Sequence, residues 1–211
     1  MARTRAEDYD DKRALIFERA AELFAESGFE RASIADLALR CRASKSWIYH
    51  YFPSKEAILY GILRDHMETL RAAAAAAVGS GAPPRAQLRA LLAALMAIYA
   101  GAKPRHVVLL NELGALPAAQ QHEIIELERE VVELVAGLLR RMSPMLANRR
   151  KLVKPTAMLL FGMINWTHTW YRPDGGLEPE QLAELAADLF LNGLAPDAWL
   201  AAAPARIAPG G

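Results

Sequence analysis

The sequence predicts an all-α fold: a small N-terminal helix-turn-helix unit, a connecting fourth helix, and a longer helical bundle. Three observations carry this. Apolar residues recur at spacings of three and four along almost the whole chain, and nothing alternates as a strand or repeats. Ala and Leu dominate an apolar share of 53% in 211 residues, a composition that favours helix. Ser33, Ser44 and Ser54 each stand just before a helical pattern, while Gly28 and Pro53 act as stops.

Taken in order, residues 1 to about 9 form a flexible arm. Residues 10–27 place Ile16, Ala20, Leu23 and Phe24 on one face, and Gly28 ends that helix. Ser33, with Asp36 three residues on, predicts a capping box. Ile34, Leu37, Ala38 and Cys41 form the buried stripe of the second helix, and Arg42 and Ala43 complete the turn. Ser44 caps a third helix in which Ile48 and Phe52 share a face. At about 100° per residue, Ser46, Trp47 and His50 point the other way, flanked by Lys45 and Tyr49. Pro53 stops it, and Ser54 caps a fourth helix through Ile58 and Ile62 to about Ala77.

The glycine- and proline-rich stretch 78–84 breaks the pattern. Helices follow over 85–102, 104–116 and 117–141, the last with Ile124, Leu127, Val131, Leu134 and Leu138 on one face. Ser143-Pro144 reads as a break. Residues 151–172 are apolar nearly all round and predict a helix buried on several sides, within the subunit and between subunits. Residues 179–194 are amphipathic through Leu182, Leu185, Ala186, Leu189 and Phe190, and the tail 203–211 is expected to be disordered. The domain expectation is 10–71 for the helix-turn-helix domain, with the motif at about 33–52, and 84–203 for the C-terminal domain.

A formal net charge of +1 means that any attraction to a polyanion must be local. Cys41, the one cysteine, excludes an internal disulfide and a multi-cysteine metal site; in the turn it reads as a small packing residue. No apolar run reaches the ~18 residues of a membrane span, and the charged N-terminus lacks the apolar core of a signal peptide. A cytoplasmic protein without membrane contact is expected. Between Leu37 and Lys55 there is no Asp or Glu. The stretch instead carries Arg40, Arg42, Lys45, His50 and Lys55 interleaved with Trp47, Tyr49 and Tyr51. On a helix-turn-helix this chemistry suits the DNA major groove.

Roles follow from residue type. Phosphate contacts position a protein on DNA, and base contacts specify the sequence. Ser33 offers a hydroxyl and amides at a helix start, Ser54 and Lys55 do the same at the start of the fourth helix with a charge added, and Ser44, the cap of the third helix, joins the DNA-binding candidates. Tyr49, His50 and Tyr51 carry donors suited to the backbone beside the groove. Lys45 suits guanine, Ser46 lies on the same outward face, and Trp47 suits thymine methyls. Arg42 can reach phosphate or base.

Residues 21–24 (AELF), 28–29 (GF), 33–38 (SIADLA), 44–45 (SK), 48–52 (IYHYF) and 54–59 (SKEAIL) together resemble the DNA-binding domain of the TetR family of transcriptional regulators. Cys41-Arg42-Ala43 and Trp47 depart from the family's usual small residues. The resemblance implies an all-helical homodimer on a palindromic double-stranded operator. In each subunit the fourth helix would join the DNA-binding domain to a ligand-binding and dimerisation bundle, and a small effector would release repression. Residues 161–167 (FGMINWT) and 170–175 (WYRPDG) resemble the acyl-CoA-responsive branch, which makes an acyl-CoA thioester the best effector candidate.

Apolar walls with a few polar groups are expected of the pocket. The candidates are Met96, Tyr99, His106, Asn111, Phe161, Asn165, Trp166 and Trp170, with Lys103, Arg105, Arg149, Arg150 and Arg172 available for the phosphates of a coenzyme A moiety. Trp166 and Trp170 suit a core or a dimer interface equally well.

Catalysis is not expected: the chain has no glycine-rich phosphate loop, nucleophile elbow or paired metal-ligand spacing, and neither a cofactor nor a metal is called for. A sensor of drugs or other lipophilic compounds, whose pocket needs no cationic mouth, is the alternative within the regulator class. A helical adaptor without DNA binding would explain the bundle but not the acid-free, capped, basic-aromatic unit.

Overall fold

The structure is a computed structural model that describes residues 5–193. Residues 1–4 of the expected arm and 194–211, including the last part of the expected C-terminal domain and the tail, lie outside the described residues. No strand occurs among the described residues, which are mostly helical, as the apolar spacing requires. The helices are α1 (Arg5–Ser27), α2 (Ile34–Arg40), α3 (Lys45–Tyr51), α4 (Lys55–Val78), α5 (Pro84–Gly101), α6 (Lys103–Glu112), α7 (Ala118–Met142), α8 (Pro144–Asn148), α9 (Arg150–Asn165), α10 (Thr167–Trp170) and α11 (Pro179–Gly193). Short 3₁₀ turns occupy Leu113–Ala115 and Pro173–Gly175.

Two compact units result. The first comprises the described residues up to Ala73 together with Ile98–Val131; the second comprises Ala74–Ala97 and the described residues from Val132 on. The segment around α6 therefore packs with the N-terminal helices, which the boundaries read from sequence did not assign to them.

The first unit closes around Ile16, Phe17, Ala20 and Phe24 of α1, Leu37 of α2, Ile48 of α3, and Ile58, Leu59, Ile62 and Leu63 of α4, all buried. The Phe17 and Phe52 rings lie 5.0 Å apart, and Phe24 meets Phe29 edge-on at 5.2 Å, a favoured aromatic arrangement. Gly61 lets α4 press onto α1: a Cβ there would stand 2.4 Å from Cζ of Phe17. The second unit is built on Leu88, Leu91, Leu92 and Leu95 of α5, Val135, Leu138 and Leu139 of α7, Leu160 and Ile164 of α9, and Ala183, Ala187 and Leu191 of α11. Arg89 of α5 reaches both Glu184 and Asp188 of α11.

Three expectations shift in detail. α1 begins at Arg5, so residues 5–9 of the expected arm are helical. Ser143 caps a short helix with Pro144 at its first position, its hydroxyl accepting from the Leu146 N–H at 3.4 Å; Pro lacks the N–H that a first helical residue cannot use anyway. The single helix expected over 151–172 is interrupted at Trp166. There the side chains of Thr167 and Thr169 donate to the carbonyls of Ile164 and Trp166, and the His168 ring lies 2.7 Å from the carbonyl of Asn165, competing with the helical ladder. That segment is also not buried all round within one subunit: Met158, Leu159, Trp166 and Trp170 are exposed, as are Leu185 and Leu189 of α11.

Candidate nucleic-acid interface

Local capping builds the reading unit. The Ser33 hydroxyl accepts from the Asp36 N–H at 3.2 Å and donates to Asp36 Oδ2 at 2.6 Å, while the Ser33 N–H donates to the same carboxylate oxygen at 3.2 Å. This is the capping box the spacing predicts. The bonds from Ser33 hold the Asp36 carboxyl below its ordinary range. They also occupy both donors of Ser33, so a phosphate there must compete with Asp36.

α3 starts at Ser44, whose hydroxyl accepts from the Trp47 N–H at 3.1 Å and lies 2.8 Å from that of Ser46. Ile48, wholly buried, anchors the helix; Lys45, Ser46, Tyr49 and His50 on its other sides are exposed. Trp47 and Tyr51 are half-buried and face each other with ring centroids 4.9 Å apart. Tyr51 also meets His50 at 5.0 Å and Tyr9 of α1 at 4.9 Å. An aromatic row from α1 thus braces the outer side of α3. Tyr9 escaped the sequence reading because a contact across 42 residues leaves no local periodicity.

Lys55 opens α4, and its ammonium is held within the protein. It donates to the carbonyls of Phe29 at 2.8 Å, Ala32 at 3.0 Å and Glu30 at 3.4 Å, and lies 4.2 Å from the centre of the Phe29 ring. Its three donors are thereby used. Lys55 fastens the start of α4 to the loop that leads into Ser33.

Arg42 is exposed and has φ +52°. Cys41 beside it is half-buried, and burial raises its thiol pKa, in keeping with a packing residue.

The ligand-site candidates divide between the units. In the first, Tyr99 and His106 are buried and stacked, ring centroids 3.7 Å apart. The His106 Nδ1 lies 3.3 Å from Nε2 of His66 on α4. Burial, reinforced by Arg105, pushes His66 down to about 4, so it is neutral at pH 7. His66 was not singled out from sequence, although it continues the apolar stripe Ile62–His66–Leu70 at i, i+4. Arg105 of α6 pairs with Asp65 of α4. Asn111 is exposed and donates to the Val107 carbonyl at 3.0 Å. In the second unit, Met96 and Phe161 are buried. The Asn165 Oδ1 is shielded from solvent without a hydrogen-bond partner among the described residues. Trp166 and Trp170 stand on the exposed apolar face. No group of three potential metal ligands, and no helix long and apolar enough to cross a membrane, occurs among the described residues.

Residues 16–61 match the family described as bacterial regulatory proteins, tetR family. Residues 81–194 match the tetracyclin repressor-like C-terminal domain. The chain belongs to the TetR family of transcriptional regulators. A TetR-family transcriptional regulator from Bordetella parapertussis 12822 is 39% identical, with a TM-score of 0.82 over 90% of this chain and 96% of that one. The HTH-type transcriptional repressor KstR2 of Rhodococcus jostii is 27% identical over 87% of this chain and 91% of its own length. The structure of AibR with isovaleryl coenzyme A and operator DNA has the same fold, with a TM-score of 0.73 and 24% identity over 84% of this chain and 97% of that one. These relatives are regulators, and this TetR-family chain is not an enzyme.

Proposed function

We propose that this TetR-family regulator is a homodimeric repressor that leaves a palindromic operator when a small effector binds, and that the effector is an acyl-CoA thioester. The observation that carries the DNA half is α3: one wholly buried residue, Ile48, fixes the helix, and an acid-free face with Lys45, Ser46, Tyr49 and His50 is left exposed. Lys45 and Ser46 would meet base edges, and Tyr49 and His50 the flanking phosphates. Trp47 and Tyr51 would shape the surface through their mutual packing, and Ser33, Ser44 and Lys55 would hold the reading unit in place. Two such helices in a dimer would enter successive major grooves about 34–36 Å apart.

Met158, Leu159, Trp166 and Trp170, with Leu185 and Leu189 of α11, supply an apolar face of the kind a subunit interface covers. Gly162, exposed within that stripe, leaves room for close approach of a partner helix. The two tryptophans accordingly go to the interface in this reading.

Release would run from α6 to α4. Tyr99 and His106 pack beside His66, and Arg105 pairs with Asp65, so displacement of α6 by an effector would be felt by α4. Effector and DNA bias one equilibrium, so each must weaken the other. The acyl-CoA assignment is supported by the resemblance of residues 161–175 to that branch and by AibR, where the same fold holds isovaleryl coenzyme A. Titrating acyl-CoA thioesters, free acids and cationic dyes against the protein on its upstream DNA tests it. Release by the thioester alone is expected; release by dyes and not by thioesters would replace it with a drug sensor.

A further inference from the structure

α2 ends in a Schellman motif. The Ala43 N–H donates to the Ala38 carbonyl at 2.9 Å, and the Arg42 N–H to the Leu39 carbonyl at 3.1 Å, which makes Arg42 the residue just past the helix end that adopts the left-handed conformation. Glycine is the usual occupant, because a Cβ there is strained against the backbone. At φ +52°, Arg42 is the one non-glycine residue with positive φ among the described residues. The left-handed glycines Gly28, Gly81 and Gly176 show the same chain using glycine where this conformation recurs.

Packing does not explain the arginine. Its side chain is exposed and has no ion-pair or hydrogen-bond partner among the described residues. Its cationic neighbours are already committed: Arg40 to Glu26, and Arg19 to Glu22. Arg42 is therefore an uncompensated guanidinium on a strained backbone, two residues before the Ser44 cap of α3. Strain kept at such a position without local compensation points to use in binding.

We infer that Arg42 is a DNA-contacting residue, held in the left-handed turn at a cost in stability to deliver its guanidinium to an operator phosphate at the entrance of α3. This rests on the DNA-binding reading of α3 and adds to it a contact from the turn. Replacement by glycine should relieve the backbone and remove the contact together.

The test compares R42G and R42K with the wild-type protein by thermal melting and by titration of an upstream-DNA duplex across a salt series. R42G should melt about 1–4 °C higher, glycine's own entropic cost offsetting part of the relief. It should bind the duplex about tenfold more weakly at low salt. Its log–log salt slope should be smaller in magnitude by about 0.9 for each subunit's lost phosphate contact. R42K should keep the wild-type slope. A wild-type salt slope and affinity in R42G, with specific binding by the wild-type protein intact, would overturn the assignment of Arg42 alone. Absence of specific, salt-dependent binding by the wild-type protein would overturn the α3 reading and this inference with it.

Discussion

Replacing Lys55 by methionine separates anchoring from phosphate contact. The ammonium donates to three carbonyls of the α1–α2 loop and sits over the Phe29 ring. The Phe29 carbonyl would still accept from the Ala32 N–H at 3.2 Å, and Glu30 is exposed, so its carbonyl can turn to water. The uncompensated losses are the Ala32 carbonyl bond and the cation–π contact. A hydrogen bond to a charged group contributes about 1.5–3 kcal/mol and a partly exposed cation–π contact about 0.5–1 kcal/mol; methionine recovers some packing on Phe29. A loss of about 2 kcal/mol is expected, lowering Tm by roughly 4–8 °C in a chain of this size. Calorimetry checks the melting temperature. In a duplex titration, affinity should fall because Ser33 and α2 shift, while the salt slope stays as in the wild-type protein. An unchanged Tm together with a slope smaller by about 0.9 per subunit would show Lys55 on a phosphate and refute the anchoring argument.

Other perturbations have equally defined outcomes. Gly61→Ala would place a Cβ 2.4 Å from the buried Phe17 ring, and overpacking should cost about 1–3 kcal/mol in urea unfolding at unchanged m-value. His66 is held near 4 in the folded protein against its ordinary 6.5, so the unfolded chain takes up the proton first. Its contribution is complete above pH 6.5 and is lost as pH falls towards 4, by up to roughly 3 kcal/mol; His66→Gln should flatten that acid limb in urea midpoints between pH 7 and pH 4.5. Leu159→Asp on the exposed apolar face should convert a dimer to monomer in size-exclusion chromatography with light scattering while leaving helicity in place. A variant that stays dimeric would move the interface elsewhere.

Much of the reading unit was legible in sequence because its determinants are local. Ser33, Asp36, Ser44 and Ser54 announce helix starts over three residues, and Ile48 and Phe52 fix which side of α3 faces inwards. Arg42 was legible as a departure from a small residue, but its left-handed backbone needed the structure. The carbonyl anchor of Lys55 and the Tyr9–Tyr51 contact were not legible, since both join residues more than 20 apart without a periodic signature. The same holds for the ligand-site candidates. Tyr99 stacks on His106, and the His106 ring meets that of His66 edge-on only through the packing of α4 on α6, and the break at Trp166 came from side-chain donors of residues 167–169 that strong apolar periodicity concealed.

The central claim, a DNA-reading surface on α3 and its preceding turn, is tested most directly by anisotropy titration of a labelled duplex from the chain's own upstream region, run from 50 to 200 mM salt against an unrelated duplex. With Arg42 contacting phosphate in each half-site, the two contacts give a log–log slope of about −1.8 and a loss of affinity of about tenfold across that range. The account predicts that loss together with clear preference for the upstream duplex; affinity that ignores salt, or that is equal for both duplexes, would contradict it.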